Sequence, residues 1–280
     1  MSPDGKTLLI TSDEKSGYQN VALLDIETKK KTWSTDTKWE ANSRAFSPDG
    51  KSFTYVINAD GRSDAYIVAR ATNHAEKIAF AEGWNTFPGT PTPYAPDGRR
   101  ILVKHQSSTQ TGDLWVYDIV KRSPSRLTYS AVASLATTPL PPSQLVHYKS
   151  FDGKTITALM WIPFNLNRDE SNPGLVLPHG GPTGQMVDYW DTDVAAYVSR
   201  GYVCVAPNVR GSTGYGIEFQ KANYKDLGGG DLQDEVYAAN FLKATGLVNP
   251  KKIRIAGGLL RRVHDSNGVG PHSRCVGSGR

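Results

Sequence analysis

The chain has 280 residues, a formal net charge of +5 and an apolar fraction of 38%, which are typical of a globular protein. No apolar run approaches the roughly 20 residues of a membrane span, so we expect no membrane partner. The positive charge does not indicate a nucleic-acid partner, because residues 259–280 carry four arginines and one aspartate, +3 of the total. The two cysteines, Cys204 and Cys275, give no disulfide framework. We expect no metal and no cofactor.

The first half repeats a short turn motif. Ser2 to Lys6 returns as Ser47 to Lys51 and as Ala95 to Arg99, with the prolines 45 and then 48 residues apart. Each copy has proline at its second position, aspartate at its third and glycine at its fourth, and this order favours a tight turn. An apolar run, a polar turn and a second apolar run follow each motif, which predicts small antiparallel sheets of the kind that form β-propeller blades. A β-sandwich with coincidental turns is disfavoured, because three turns are in phase with three strand patterns.

The number of repeats predicts an incomplete propeller. Closed propellers need roughly 4–8 blades, whereas residues 1–140 supply two complete units and a third whose first strand would precede Met1. We therefore expect an open arc of about three repeats and a native N-terminus that is missing. Met1 to Gly5 shows no signal peptide, which favours a cytoplasmic location. The proline-rich stretch from Thr137 to Pro142 predicts the domain boundary.

Residues 141–258 have the pattern of a parallel sheet with helices. Two apolar runs, Leu175 to Leu177 and Tyr202 to Pro207, each end in a glycine-rich loop. Ligands of such folds bind at the carboxyl ends of the strands. The first loop contains His179, Gly180 and Gly181, and its glycines allow a backbone N–H to approach a bound group, as an oxyanion hole requires.

The remaining elements of this half are predicted from periodicity and caps. We expect a hairpin from Leu145 to Ile162, and a helix with its N-cap at Asp231 that buries one apolar face. Between the two glycine-rich loops we expect another helix, and before the last strand a turn at Asn249–Pro250. The expected buried positions are Trp190, Val194, Tyr197 and Val198 in the first helix, and Leu232, Val236, Ala239 and Leu242 in the second.

Four segments in this order resemble the catalytic domain of the prolyl oligopeptidase family of serine peptidases, near its acylaminoacyl-peptidase and dipeptidyl-aminopeptidase branches. The segments are Leu177 to Pro182, Ser199 to Tyr202, Ala206 to Gly216 and Gly228 to Asp234. The resemblance implies a β-propeller fragment followed by a partial α/β-hydrolase domain, with a peptide as the substrate of the intact protein.

The resemblance also implies roles for individual residues. The family takes an oxyanion-hole N–H from the loop of His179, Gly180 and Gly181, which would be the N–H of Gly181. For His179 we favour the interpretation that its backbone matters more than its ring. Some members place a tyrosine hydroxyl at this position, and an equivalent role for the His179 ring is the less favoured alternative. Arg210 is expected to brace its loop by hydrogen bonds. A Gly-x-Ser-x-Gly elbow is expected after the last strand, with the nucleophilic serine at the position of Leu259.

No serine stands at that position, and residues 259–280 have no helical periodicity. Leu259 to Gly268 can be encoded so that removal of one base gives Ser-Tyr-Gly-Gly-Tyr-Met-Thr-Leu-Met. Joined to Gly257 and Gly258, this restores the expected elbow. The codons are chosen to fit, so they demonstrate compatibility with a frameshift. We interpret residues 259–280 as a frameshifted tail without native structure.

Three functions remain open at this point. The favoured one is a serine peptidase whose present chain is catalytically incomplete, because its aspartate and histidine are expected beyond Arg280. A non-enzymatic propeller module for protein interaction is one alternative, and an esterase on the same scaffold is another. Substrate preference and oligomeric state do not follow from the sequence.

Overall fold

The structure, a computed structural model, describes residues 1–88, 92–130, 140–167, 169–181 and 183–257. The chain forms two compact units. Unit 1 contains the described part of Met1–Thr138 with two short later segments, Val187–Trp190 and Gly214–Ile217, and unit 2 contains the rest. No sequence signal assigns the two short segments to unit 1. The frameshift hypothesis for residues 259–280 concerns a segment outside the described residues.

Unit 1 is built from antiparallel strands. β4 to β7 form one four-stranded sheet and β8 to β11 another, joined by a parallel bridge between Ser63 and Trp84, while β1 to β3 form a three-stranded sheet. These sheets correspond to the three predicted repeats, so the predicted propeller blades are confirmed. The strands are β1 (Thr7–Ser12), β2 (Asn20–Asp25), β3 (Lys31–Trp33), β4 (Glu40–Phe46), β5 (Ser52–Ala59), β6 (Arg62–Ala69), β7 (His74–Lys77), β8 (Trp84–Thr86), β9 (Arg100–Ser107), β10 (Gln110–Asp118) and β11 (Ser123–Arg126).

The repeated turn motif closes its own hydrogen bonds. In the first copy, Gly5 N–H donates to the Ser2 carbonyl at 3.0 Å, and the Ser2 hydroxyl donates to Asp4 at 2.5 Å. Gly5 has a φ of 71°, in the left-handed region that favours glycine. The third copy has Ala95 in place of the serine, yet Gly98 N–H still donates to the Ala95 carbonyl at 2.9 Å. Backbone geometry, more than the serine, therefore defines the turn.

Neighbouring blades bury apolar side chains against each other, because successive residues of a strand point to opposite faces of its sheet. One cluster joins the first and second blades and consists of Val21, Ala41, Phe46, Phe53, Tyr55 and Val68. A second cluster joins the second and third blades and consists of Val56, Ala65, Ile78, Phe87, Tyr94, Ile101, Val103 and Tyr117.

Two buried carboxylates explain why the short later segments belong to unit 1. Asp188 accepts a hydrogen bond from Ser108 N–H at 2.9 Å and lies 3.3 Å from Nε of Arg62. Glu40 accepts one from Gly216 N–H at 3.0 Å. Each carboxylate is matched by donors within the unit, as buried charges require.

Unit 2 is a five-stranded sheet in the order β12-β13-β15-β14-β16, in which β14, β15 and β16 run parallel and β12 and β13 form an antiparallel hairpin. The hairpin prediction is confirmed, and the sheet is a partial α/β-hydrolase domain. The elements are β12 (Gln144–Lys149), β13 (Thr155–Trp161), β14 (Asn172–Val176), α1 (Thr192–Ser199), β15 (Val203–Asn208), α2 (Ile217–Lys221), α3 (Gly230–Ala244) and β16 (Val248–Ile255).

The helices α1 and α3 cover opposite faces of this sheet. The step from β14 to β15 and the step from β15 to β16 run in opposite directions, and right-handed crossovers then place their helices on opposite sides. α3 packs against β14, β15 and β16, and α1 packs against β15. The buried core on the α3 side consists of Tyr148, Ile156, Ala158, Met160, Val176, Val203, Val205, Ala238, Leu242 and Val248.

Two details of the predicted helices are wrong. α3 begins at Gly230 with Gly229 as its N-cap and no side-chain cap, because the carboxylate of Asp226 already takes the Gly230 N–H at 2.9 Å. Asp231 therefore lies inside the first turn. In α1 the N-cap is Asp191, so Trp190 precedes the helix. Of the eight predicted face positions, Val194 and Val198 in α1 and Leu232 and Leu242 in α3 are buried, whereas Trp190, Tyr197, Val236 and Ala239 are half-buried.

The predicted turn at Asn249–Pro250 is also wrong, because β16 runs through both residues. A proline lacks the N–H that a ladder needs and is tolerated at edges and bulges. The pairing of β14 with β16 shifts register between Asn172 and Gly174, opposite this part of β16. The irregular pairing accommodates Pro250 within the strand.

Candidate functional site

The carboxyl ends of the three parallel strands meet at one edge of unit 2. Val176, near the end of β14, pairs with Val205 of β15 on one side and with Ile255 of β16 on the other. Beyond the strands, Leu177 N–H donates to the Val205 carbonyl at 2.8 Å and Ala256 N–H donates to the Val176 carbonyl at 3.0 Å. The loops that follow all three strands therefore begin side by side, in the crevice where such sheets bind ligands.

Hydrogen bonds join the loop after β14 to the loop after β15. Asn208 accepts Met186 N–H at 2.6 Å through its side-chain oxygen and donates to the Met186 carbonyl at 3.0 Å. Thr213 N–H donates to the Gly184 carbonyl at 2.9 Å. Since Asn208 is 1% exposed, these bonds are shielded from water and fix the spacing of the two loops.

His179 connects the same two loops through its ring. Its Nε2 lies 2.8 Å from Oγ of Ser212, and its Nδ1 lies 2.9 Å from the carbonyl oxygen of Gly180. The Ser212 hydroxyl, which is fully buried, also lies 2.6 Å from the Val209 carbonyl oxygen. We call this chain of contacts, from the Gly180 carbonyl through His179 and Ser212 to the Val209 carbonyl, the histidine row. Burial lowers the pKa of His179 below its ordinary value, which favours the neutral imidazole at pH 7.

The two glycines after His179 differ in what their backbone requires. Gly181 has a φ of 142°, and a Cβ there would lie 2.8 Å from the N atom of Gly184. A Cβ on Gly180 would meet nothing within 4 Å. Only Gly181 therefore needs to be glycine for conformational reasons. Both residues are exposed, so their peptide groups are open to a ligand.

Arg210 lies in the loop after β15, and its side chain points to two carboxylates. Its Nε and Nη2 donate to Asp234 at 2.9 and 2.8 Å, and its Nη1 and Nη2 donate to Asp152 at 3.0 and 3.1 Å. Its backbone N–H also donates to Asp234, at 2.8 Å. We call Arg210, Asp234 and Asp152 the arginine cluster. The hydrogen bonds to Asp234 and Asp152 raise the pKa of Arg210, and the bond from Arg210 lowers the pKa of Asp152.

Asp234 ties this cluster to two further elements. Its carboxylate accepts the Ser150 hydroxyl at 2.5 Å, and its backbone carbonyl accepts the Tyr148 hydroxyl at 2.7 Å. Asp234 belongs to α3, Tyr148 to β12, and Ser150 to the β12–β13 turn. The loop after β15 is thus anchored to a helix and to a hairpin by one fully buried carboxylate.

The sequence-predicted site residues fall into two groups. His179, Gly180 and Gly181 lie together on the loop after β14 and meet the loop after β15 through Ser212. The hydrogen bonds of the Arg210 side chain, among the described residues, go to Asp234 and Asp152 and not to that glycine loop. Leu259, the position expected to hold the serine, lies outside the described residues.

Comparison with known proteins relates part of this chain to a protein family. The sequence profile of the prolyl oligopeptidase family matches residues 188–258, which contain the loop after β15, α3 and β16. Over this segment the chain is similar to the prolyl oligopeptidase family. The match covers the segment that holds Arg210, Ser212 and Asp234.

Two curated relatives and one solved structure illustrate the likeness. Dipeptidyl-peptidase 5 of Porphyromonas gingivalis is 20% identical over 91% of this chain and 38% of its own length. Dipeptidyl aminopeptidase BIII of Pseudoxanthomonas mexicana is 25% identical over 91% of this chain and 38% of its own length. The crystal structure of Porphyromonas gingivalis dipeptidyl peptidase 4 is similar with a TM-score of 0.76 and 20% identity, over 91% of this chain and 36% of that one. The chain thus spans about two-fifths of the length of these proteins.

Sequence reasoning missed the partners of the site residues. The sequence pattern assigns no individual role to Ser212, Asn208, Asp152 or Asp234, although all but Asp152 lie in segments that resemble the family. The Asp-Gly pattern at Asp152 predicts a turn but not the contact with Arg210, which spans 58 residues. For Ser212 there was no local signal, since its contact with His179 spans 33 residues and depends on the pairing of β14 with β15.

The described side chains contain no cluster of three histidine, cysteine, aspartate or glutamate residues that could hold a metal ion. Within the same part of the chain, no helix has the length and the hydropathy of a membrane span.

Proposed function

We propose that this chain is part of a serine peptidase that hydrolyses short peptides. The observation that carries the proposal is the common edge at which the loops after β14, β15 and β16 begin, with a glycine loop held by hydrogen bonds to its neighbour. An acyl-transfer site needs such an arrangement, because the oxyanion donor and the nucleophile must approach the same carbonyl group from different loops.

In this proposal the backbone N–H of Gly181 is one oxyanion-hole donor. The peptide that carries it is exposed at the edge, and only a glycine adopts its backbone conformation without strain. Arg210 acts from a distance. Its four side-chain hydrogen bonds to two carboxylates hold the loop after β15, to which the glycine loop is attached.

The nucleophile belongs at the position of Leu259, directly after β16, where an α/β-hydrolase places its elbow. The segment that leads from Ile255 towards that position starts beside Val176, at the edge from which the glycine loop also starts. The chain carries leucine at this position. We therefore propose that the chain as written is catalytically incomplete, and that a shifted reading frame accounts for the missing serine.

The relatives support a substrate class. Their names describe dipeptidyl-peptidases, and a similar structure is that of an acylaminoacyl peptidase. We infer that the intact protein removes dipeptides or acylated amino acids from the amino end of short peptides.

A substrate panel tests this function. The gene with one base removed from the codons of Gly257–Gly258, and with its upstream region included, should give a protein that releases a chromophore from dipeptidyl or acyl-aminoacyl anilides. The expected product hydrolyses such anilides faster than the corresponding simple esters. Preference for simple esters would identify an esterase instead, and failure to hydrolyse any member would contradict the proposal.

A further inference from the structure

The histidine row contains more contacts than a neutral imidazole can satisfy. The row has three short spans, 2.9 Å from Gly180 O to Nδ1, 2.8 Å from Nε2 to Ser212 Oγ and 2.6 Å from Oγ to Val209 O. Both ends are carbonyl oxygens, which accept hydrogen bonds and never donate them. Each of the three spans therefore needs a hydrogen from the ring or the hydroxyl between them.

A count of hydrogens separates the two protonation states of His179. The imidazolium and the Ser212 hydroxyl supply three hydrogens, one for each span. The neutral ring and the hydroxyl supply two, so one span then brings two lone pairs together. If the hydrogen is on Nε2, the mismatch falls between Nδ1 and the Gly180 carbonyl. If it is on Nδ1, the mismatch falls between Ser212 Oγ and the Val209 carbonyl.

The Gly180 carbonyl matters because of what shares its peptide group. A peptide unit is planar, so the C=O of Gly180 and the N–H of Gly181 turn together and point in opposite directions. Both residues that flank this plane are glycines, and a Cβ at Gly180 would meet nothing within 4 Å. Neither glycine therefore carries a side chain that would hinder rotation of this plane. A ring that attracts or repels the carbonyl therefore also sets the direction of the Gly181 N–H.

We propose that His179 is a positioning residue for the Gly181 N–H: the imidazolium holds the Gly180 carbonyl and fixes the peptide, and the neutral ring with its hydrogen on Nε2 releases it. Ser212 makes this dependence possible, because its bond to the Val209 carbonyl draws the hydrogen of the neutral ring to Nε2. The inference rests on the proposed function in one respect, the use of the Gly181 N–H as an oxyanion donor.

The surroundings of His179 place the transition on the acid side of neutrality. Burial lowers its pKa from an ordinary value of 6.5, and the Gly180 carbonyl raises it. No acidic or basic side chain of the described chain is among the influences on this pKa. Arg210, which lies in the neighbouring loop, has its guanidinium paired with Asp234 and Asp152. The ring is therefore mostly neutral at pH 7 and becomes charged as the pH falls.

The test is an NMR titration of the full chain between about pH 5 and 8, the range in which histidines titrate. Ring nitrogen shifts follow the protonation of His179, and the residual dipolar coupling of the Gly181 N–H follows the direction of that bond. We expect both to change with one midpoint. A Gly181 coupling that stays constant while the His179 ring titrates would overturn the proposal.

Variants of Ser212 separate positioning from simple packing. Ser212→Ala removes the acceptor at Nε2, so the neutral ring should take its hydrogen on Nδ1 and hold the Gly180 carbonyl throughout. The pH-dependent change in the Gly181 coupling should then shrink severalfold, while Ser212→Thr, which keeps the hydroxyl, should retain it. Ser199→Ala is the matched control, because that hydroxyl donates to the Ala196 carbonyl at 2.9 Å at the end of α1.

If Ser212→Ala leaves the change undiminished, Ser212 does not select the tautomer and the proposal is wrong. None of these measurements needs a nucleophile. A chain that shows the coupled titration but whose frame-restored form hydrolyses no substrate would contradict the proposed function alone. The reverse result would contradict only the role of His179.

Discussion

The arginine cluster and the histidine row hold the same loop after β15 in different ways. The arginine cluster is charged, and four side-chain hydrogen bonds from Arg210 meet two carboxylates. In the histidine row the imidazole is mostly neutral at pH 7. The ring and the Ser212 hydroxyl then supply two hydrogens for three contacts. Matched charges fix a structure over a wide pH range, whereas an incompletely matched neutral group responds to small changes in pH. The first arrangement suits an anchor and the second suits an adjustable support.

The largest effect is expected from breaking the arginine cluster. Asp234→Asn removes a fully buried charge and leaves Arg210, whose side chain is 7% exposed, with a single carboxylate. Loss of one partner of a buried ion pair costs about 3–5 kcal/mol. Hydrogen exchange of the β15 amides would measure this loss in unit 2. Asp193→Asn, at an exposed position in α1, is the matched control, and equal effects of the two variants would refute the anchor role.

A smaller loss is expected from the backbone of the glycine loop. Gly181→Ala places a Cβ 2.8 Å from the N atom of Gly184 at a φ of 142°, which should cost about 1–3 kcal/mol of strain. Gly180→Ala, where the added Cβ meets nothing within 4 Å, should cost far less. Urea denaturation of the two variants gives the comparison. Equal stability would mean that the conformation of Gly181 is not constrained.

Acid titration should separate the two arrangements by pH. Burial lowers the pKa values of His179 and of His105, which is 2% exposed in unit 1, below an ordinary 6.5. The folded state then binds fewer protons than the unfolded state, so stability is complete above about pH 6.5 and falls as the pH drops through the folded pKa values. Asp152 has a pKa lowered from 3.8 by Arg210, so its contribution is lost only below that value.

His105→Gln checks this assignment. The variant lacks the titrating ring but can still donate to Asn85, which lies 2.7 Å from Nδ1 of His105. The fall in unit 1 stability between about pH 6.5 and 5 should become shallower, and the fall below pH 4 should remain. Thermal melting at several pH values provides the measurement. An unchanged slope near pH 6 would show that His105 does not contribute to acid sensitivity.

The smallest effect is expected at the exposed side of the arginine cluster. The guanidinium carbon of Arg210 lies 4.7 Å from the ring centroid of Phe151, which is 48% exposed. A cation–π contact at such a site contributes about 0.5–1 kcal/mol, so Phe151→Leu should lose about that much in urea denaturation. Phe164→Leu, at a position 69% exposed, is the matched control. A larger loss from the control would exclude a specific contact with Arg210.

The features that could be predicted from sequence are those with local causes. The blade turns follow from proline, aspartate and glycine at fixed places, since their hydrogen bonds span only a few residues. The parallel strands and their glycine-rich loops follow from apolar runs that end abruptly. The glycine loop could therefore be located at the edge of a sheet before its geometry was known.

The features that could not be predicted depend on contacts distant in sequence. Asp234 meets Arg210 across 24 residues, and nothing in the local sequence distinguishes it from Asp231. Aspartate is common at N-caps, which favours Asp231 on sequence grounds, but Asp226 holds the first N–H of α3. The grouping of residues 187–190 with unit 1 similarly depends on distant contacts of Asp188. Its carboxylate meets donors from two blade hairpins, and its N–H donates to the Gly61 carbonyl at 2.7 Å.

The most direct test of the account is covalent labelling with a fluorophosphonate, which reacts with activated serines. The chain as written should remain unlabelled, and the product of the gene with one base removed within the Gly257–Gly258 codons and its upstream region included should be labelled stoichiometrically. Leu259→Ser in the written frame is the control. It supplies a serine without the following Gly of the elbow and should remain unlabelled. Labelling of the chain as written, or no labelling of the frame-restored protein, would contradict the proposal that the site is a peptidase site lacking its serine.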